Sequence, residues 1–410
     1  MNPRFPLAGR RELAVFGGQP RFSEPLHVGR PNVGDQQRLF QRLEEMLDRG
    51  WLSNQGPFVV EFERLIAEML GVRHCVAMCN GTVALEIAIR ALGLSGEVIV
   101  PSFTFVATAH ALQWQQIAPA FCDINPATHS VDPGRVEELI TPRTSGIIGV
   151  HLWGTPCEIE SLSEIAARRK LGLLFDAAHA FGCSYRGQMI GNFGDAEVLS
   201  FHATKFLNTF EGGAVVTNND QLAKKMRLMK NFGFKGLDTV VHIGSNGKMT
   251  EVAAAMGLTN LESLDEFIHV NRRNYHCYQE GLAGLPGVTV LQQTTAEKRN
   301  YQYVVVEVDA EKAGLHRDEL LRVLHAENVL ARRYFYPGCH RMEPYRSHSP
   351  HSHLLLPETD RVAGRVLVLP TGTAVGPQEI AGICAVIRDA LQDSRAVRWR
   401  LDDGRTAAAA

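Results

Sequence analysis

At 410 residues the chain is longer than a single hydrophobic core normally organises, so one large domain with a smaller one beside it is expected. A composition of 45% hydrophobic and 21% charged residues excludes a disordered, collagen-like or coiled-coil protein. With 42 Lys plus Arg against 44 Asp plus Glu, the formal net charge of -2 gives no bulk electrostatic reason to bind nucleic acid or a membrane and points to a small partner.

The stretch to about Asn32 is rich in Gly, Pro and Arg and reads as an irregular arm, residues 1–32, laid over a surface. Leu39, Leu43, Met46 and Leu47 follow helical spacing, with Asp35 as cap and Gly50 as stop. A second helix is expected from Phe58 to Leu70, ended by Gly71. Strands and helices then alternate: CVAM and a helix after Gly81; EVIVP and a helix from Val106 to Trp114; IAPAFCDI; SGIIGVHLWG and a helix from Glu158 to Lys170; LGLLFDAA. Short apolar strands alternating with amphipathic helices predict a mainly parallel sheet covered on both faces, an α/β domain. AEVLSF and GGAVVTN follow with only a short loop between them, so the sheet is expected to end there in a different connection pattern. Apolar positions from Val252 to Phe267 predict one long helical region, Met249 to about Leu282, leading out of the large domain. Strand YQYVVVEV, a helix Arg317 to Asn328, a Tyr/Pro-rich loop and a helix Pro377 to Gln392 predict a smaller α+β domain. The boundaries read as 33–265 for the large domain and 266–396 for the small one, with a frayed tail at 397–410.

Eight cysteines are scattered without a CxxC pair, which argues against a zinc site or a disulfide framework and for cytosolic thiols. The amino terminus has basic residues but no apolar core of a signal peptide, and no apolar run approaches the roughly 18 residues of a membrane span. A cytoplasmic location is expected.

Asp176 ends the apolar strand LGLLF, where α/β sheets gather their ligands; taken alone it reads equally as a helix cap. Lys205 lies just past another strand end, between the strand and a glycine-rich loop, among Ser200, His202 and Thr204, which can hold a phosphate. Such a placement suggests a buried amine. A deprotonated lysine condenses with an aldehyde to a Schiff base, and an aspartate against a pyridine nitrogen keeps that ring electron-withdrawing. Those are a protein's two main duties toward pyridoxal 5'-phosphate (PLP). The turn Cys79-Asn80-Gly81-Thr82 opens a helix after a strand and offers free N–H groups to an anion, and Phe103 or Phe105 in PSFTFVATA could stack on a ring.

The ordered set NGT at 80–82, PSFTFVATA at 101–109, FDAAHAFG at 175–182, SFHATK at 200–205, EGGAVVTN at 211–218 and GSNGKM at 244–249 resembles the DegT/DnrJ/EryC1/StrS family of PLP-dependent sugar aminotransferases, from about Pro25 to about residue 390. The resemblance implies the aspartate aminotransferase type I fold, with a mainly parallel seven-stranded large-domain sheet, and a homodimer with two active sites at the subunit interface. It implies Lys205 as the Schiff-base lysine, Asp176 as the partner of the pyridine nitrogen and His179 beside the cofactor's phenolic oxygen. Gly81, Thr82 and Ser200 match the phosphate cup, Phe105 the stacking aromatic, and Asn246 an asparagine that reaches the phosphate of the neighbouring subunit. Family members usually have Ser-Gly-Thr where this chain has Asn80-Gly81-Thr82, which leaves the backbone donors in place.

WLSNQGP at 51–57 and RRYFYPGCH at 332–340 resemble family loops that close over a nucleotide sugar, bringing Trp51, Ser53, Tyr336 and His340 to the substrate; Trp51 and Tyr336 read equally as packing at the domain junction. Arg332 and Arg333 could meet a diphosphate or be solvated. The reaction implied is a pair of half-transaminations, with an amino acid, by family habit glutamate, as donor. SFHATKFLNTFEGGA and the amino-terminal FGGQPRFSEPLHVGRPN resemble enzymes that aminate C4 of dTDP-4-keto-6-deoxyglucose in antibiotic pathways, giving dTDP-4-amino-4,6-dideoxyglucose. A 3-keto sugar aminotransferase and a non-catalytic sugar-binding or regulatory homologue remain as alternatives.

Overall fold

The computed structural model describes residues 12–292 and 298–408. Seven strands form the central sheet: β1 (His74–Met78), β2 (Glu97–Pro101), β3 (Ala118–Cys122), β4 (Thr144–Val150), β5 (Gly172–Asp176), β6 (Ala196–Ser200) and β7 (Gly213–Thr217). Their spatial order is β1-β7-β6-β5-β4-β2-β3. Only β7 runs antiparallel to its neighbours. The short loop after β6 therefore does change the connection pattern, but β7 inserts between β1 and β6 and does not end the sheet.

Successive strand residues point to opposite faces, and the core divides accordingly. Cys75 and Ala77 of β1, Leu173 and Phe175 of β5, and Ala214 and Val216 of β7 belong to one buried cluster. Val76 and Met78, Leu174 and Val215 belong to another, on the side of the helix Gly81–Leu92. Each fully buried Leu, Ile or Phe contributes about 1.5–3 kcal/mol, and both faces are covered, which is why these strands are apolar almost throughout. Asp176, the residue after Phe175, thus lies on the face of the helix Gly81–Leu92.

Asp35 caps the helix Gln36–Arg49 through the amides of Gln37 and Arg38, and Gly50 ends it at φ 63°. The long helical region is two helices, Glu251–Glu262 and Leu264–Gly281, broken at Ser263, whose backbone (φ -105°, ψ 10°) is not helical. The smaller sheet is antiparallel, in the order β8 (Val288–Val290), β9 (Val304–Val308) and β10 (Val366–Leu369). It packs on Tyr275, Tyr278 and the helix Pro377–Gln392.

Two sequence expectations change. The tail expected to fray from residue 397 is a helix, Ser394–Ala408, because Val397 and Leu401, one turn apart, are buried in the small-domain core. The described part of the arm is ordered as well. Leu13 enters that core, Leu26–His27 pairs in parallel with Val329–Leu330, and the Glu327 carboxylate accepts from the amides of Ala14 (2.7 Å) and Arg21 (2.6 Å).

Candidate active site

A cavity of about 370 Å³ opens at the carboxyl ends of β5 and β6, where the helix Gly81–Leu92 begins and the loops before β9 and after residue 331 cross over. Asp176, Lys205, His179, Gly81, Thr82, Ser200 and Phe105 all line it.

At its floor the buried Asp176 carboxylate accepts from the Thr108 hydroxyl (2.9 Å, Oδ2) and the Ala178 amide (3.1 Å, Oδ1). Burial pushes this carboxyl up from its ordinary range, and the two hydrogen bonds and the Lys205 charge pull it back. Lys205 Nζ donates to the Tyr303 hydroxyl at 3.2 Å. Burial pulls that amine down to about 8, with the Asp176 charge opposing. At pH 7 about a tenth of such amines are neutral, against roughly one in three thousand for an ordinary lysine. An amine that must attack a carbonyl carbon gains that factor in its reactive form.

His179 is buried and held well below the ordinary imidazole range, first by burial and then by the Lys205 charge. Its Nδ1 faces the Trp153 amide at 3.4 Å, which assigns the ring proton to Nε2 and makes that nitrogen a donor. The ring is stacked at 26° to Trp153 and at 17° to Phe335.

At the other end Asn80 caps the helix Gly81–Leu92, its Oδ1 accepting from the Val83 amide at 2.8 Å. The Ala84 amide is bonded to the Asn80 carbonyl. Gly81 and Thr82 thus keep amides with no protein acceptor among the described residues, at the positive end of a helix dipole. A side chain at Gly81 would press Ser200 at 3.2 Å, and one at Gly213 would strike the Asn80 carbonyl carbon at 2.5 Å. Both glycines keep this anion cup open. The donor set fits PLP: amides and hydroxyls for a phosphate, a low-pKa lysine for the aldehyde, a carboxylate for the pyridine nitrogen and a neutral histidine for the phenolic oxygen.

The structure does not bring every expected residue to this cavity. Phe105 lines it but is 58% exposed, touching Phe335 edge-on at 6.5 Å. Asn246 is exposed and outside the lining of its own chain's cavity. Trp51, 48% exposed, donates to the Ser53 carbonyl at 2.6 Å, and neither residue lines the cavity. Tyr336 also stands outside, with the guanidinium groups of Arg333 (4.5 Å) and Arg317 (5.0 Å) over its ring. His340 is buried behind the wall: its Nδ1 is 2.7 Å from the Ser102 hydroxyl, and its Nε2 lies 3.2 Å from Asp360, poorly aligned for a hydrogen bond. Instead Arg332, Tyr334 and Phe335 of the same loop line the cavity. Sequence reading missed Thr108, Tyr303, Tyr334 and Phe335. Thr108 stood within the quoted PSFTFVATA, one helical turn after Thr104, while Tyr303 only looked like the start of an apolar strand.

Known proteins match this chain over most of its length. The profile of the DegT/DnrJ/EryC1/StrS aminotransferase family matches residues 34–388. A dTDP-4-amino-4,6-dideoxy-D-glucose transaminase of Shigella dysenteriae is 37% identical over 366 residues, 89% of this chain and 99% of that one. A GDP-perosamine synthase of Caulobacter vibrioides is 35% identical over 379 residues, 91% of this chain and 99% of its own. Among solved structures, DesI, crystallised in the presence of its TDP-sugar product, is 50% identical with a TM-score of 0.90, over 95% of this chain and 99% of that one. The chain belongs to the DegT/DnrJ/EryC1/StrS aminotransferase family.

Proposed function

We propose that this PLP-dependent aminotransferase moves an amino group from an amino acid, with glutamate the expected donor, to C4 of dTDP-4-keto-6-deoxy-D-glucose, giving dTDP-4-amino-4,6-dideoxy-D-glucose for amino-deoxysugar and antibiotic biosynthesis. The single observation that carries amino transfer is the Lys205 amine, brought down to about 8 by burial in a cavity shared with Asp176 and His179. The choice of sugar is supported by relatives that bear this transaminase's name and by DesI, whose structure was determined with a TDP-sugar product.

When bound, PLP supplies an electron sink that stabilises negative charge on the carbon next to the transferred nitrogen. The protein's residues do the rest. Asp176 holds a negative charge against the ring nitrogen, kept in place by Thr108 and Ala178. His179 Nε2 donates a hydrogen bond to the phenolic oxygen, and the amides of Gly81 and Thr82 with the Ser200 hydroxyl take the phosphate. Lys205, once its amine is free, removes a proton from the donor's α-carbon and later delivers one to the sugar carbon that receives nitrogen.

The protein is expected to act in the cytoplasm as a homodimer in which Asn246 serves the neighbouring subunit's phosphate. Its exposure outside its own cavity supports that reading. Mixing Lys205→Ala subunits with Asn246→Ala subunits should then give more activity per Lys205-bearing subunit than the Asn246→Ala parent alone, because each mixed dimer has one site with both native residues; mixtures no more active than that parent count against shared sites. For the substrate, the protein is incubated with glutamate and either dTDP-4-keto-6-deoxy-D-glucose or the 3-keto isomer, and the product is assigned by NMR. Turnover of the 3-keto sugar alone overturns the C4 assignment.

A further inference from the structure

We propose that Tyr303 is the positioning residue for the Lys205 amine, holding it at the cavity floor through its phenol and tying it to the small domain. The inference rests on amino transfer at Lys205. A freed lysine amine sits on a four-carbon stem, and misplacement of a reacting group by about 1 Å can cost a hundredfold in rate. Something must fix that amine. Among the described residues its one hydrogen bond runs to the Tyr303 hydroxyl, at 3.2 Å.

The phenol is itself unable to swing. Tyr303 is 7% exposed, its ring 5.5 Å from Trp153 at 69°, 4.4 Å from His179 at 46° and 6.4 Å from Tyr334 at 75°. It immediately precedes β9, so the hand that holds the lysine belongs to the small domain. Its neighbours grip the same site. Asn300 Nδ2 donates to the carbonyls of His179 (2.8 Å) and Phe181 (3.0 Å), and Gln302 Nε2 to that of Thr204 (3.4 Å). Three residues within four positions, Asn300, Gln302 and Tyr303, thus anchor both loops of the large domain that carry the chemistry.

The chemical type of the partner also fits. An amine that shuttles protons alternates between a charged and a neutral form. A carboxylate can only accept a hydrogen bond and would favour the charged form, whereas a phenol accepts from the ammonium and donates to the neutral amine. Burial, with Tyr334 nearby, holds the Tyr303 phenol well above its ordinary range, so it stays protonated and keeps both options.

Tyr303→Phe retains the ring packing and removes only the hydroxyl. Two readouts test it: steady-state kinetics with the donor and keto sugar that the wild type accepts, and, in the full chain stripped of cofactor, the pH dependence of Lys205 acetylation by acetic anhydride, read by mass spectrometry. The charged amine makes the stronger bond to the phenol, so its loss favours the neutral form. We expect kcat to fall about tenfold with KM within about twofold, and the labelling midpoint to move about half a unit or more below the wild-type value. An unmoved midpoint, or kcat within about twofold of wild type, overturns the inference. Failure of the wild type to aminate dTDP-4-keto-6-deoxy-D-glucose counts against the substrate reading alone, since the midpoint still decides the role of Tyr303.

Discussion

The floor of the cavity and its rim are built by different rules. On the floor, Asp176 and Ser200 end parallel strands and Gly81 opens a helix, so regular elements fix where each group points. At the rim, Arg332, Tyr334 and Phe335 are carried by a loop, as are Trp51 and Tyr336, which stand outside the cavity. Regular elements therefore place Asp176 and the anion cup, whereas Lys205 and His179 sit in loops just past strand ends and the rim residues in a loop whose course local pattern does not determine.

The sharpest break of the floor is Lys205→Ala. On the proposed mechanism it removes the proton carrier and the group that captures the cofactor, so kcat should fall by roughly a thousandfold or more, and added PLP should no longer give the visible band of a lysine adduct. The wild type gives the matching pH test. Burial lowers the Lys205 amine to about 8, and only the neutral amine attacks an aldehyde, so PLP capture by the stripped protein should quicken as pH rises and level off above about 8. Capture that rises only near the ordinary lysine range would mean the amine is not buried as described.

A smaller effect tests the anion cup. In Gly213→Ala the new Cβ would lie 2.5 Å from the Asn80 carbonyl carbon and 2.6 Å from the Gly81 nitrogen, so the helix start must move. Overpacking of this kind costs about 1–3 kcal/mol. If that falls on the cup, PLP binds roughly five- to 150-fold more weakly. The pH at which Lys205 is acetylated should stay put, because the amine's hydrogen bond runs to Tyr303 and not to the atoms that the new Cβ would displace. Unchanged PLP affinity in a titration would show that these amides do not carry the phosphate.

The same contrast explains what was legible in the sequence. The strand and helix alternation, the polar residues at strand ends and the cap-and-stop pair Asp35 and Gly50 could be read because each depends on neighbours in sequence. Tyr303 could not. Its partner is 98 residues away, and the apolar run that follows it says only strand. The terminal helix was hidden similarly: its polar segment looks like a tail until Val397 and Leu401 are seen to fill a core built from the other end of the chain, Leu13 included. The break at Ser263 is invisible in a continuous apolar pattern, since Leu261 and Leu264 keep helical spacing across it.

His340 gives the mildest test and bears most directly on the rim. Its position in RRYFYPGCH suggests a substrate contact, yet the side chain is buried, its Nδ1 2.7 Å from the Ser102 hydroxyl, and its own amide donates to the same oxygen at 3.1 Å. Ser102 follows β2, so this contact fastens the rim loop to the large-domain sheet. Burial holds the imidazole below its ordinary range, with Asp360 pulling the other way, and the neutral ring can share a proton with Ser102 without leaving a buried charge. His340→Ala therefore removes a fastening, not a sugar contact. It should cost about 1–3 kcal/mol of stability, seen as a lowered Tm, while KM for the keto sugar stays within about twofold of wild type at a temperature where both proteins are folded. A KM raised tenfold with Tm unchanged would return His340 to the substrate and place the rim's recognition surface deeper than Arg332 and Tyr334.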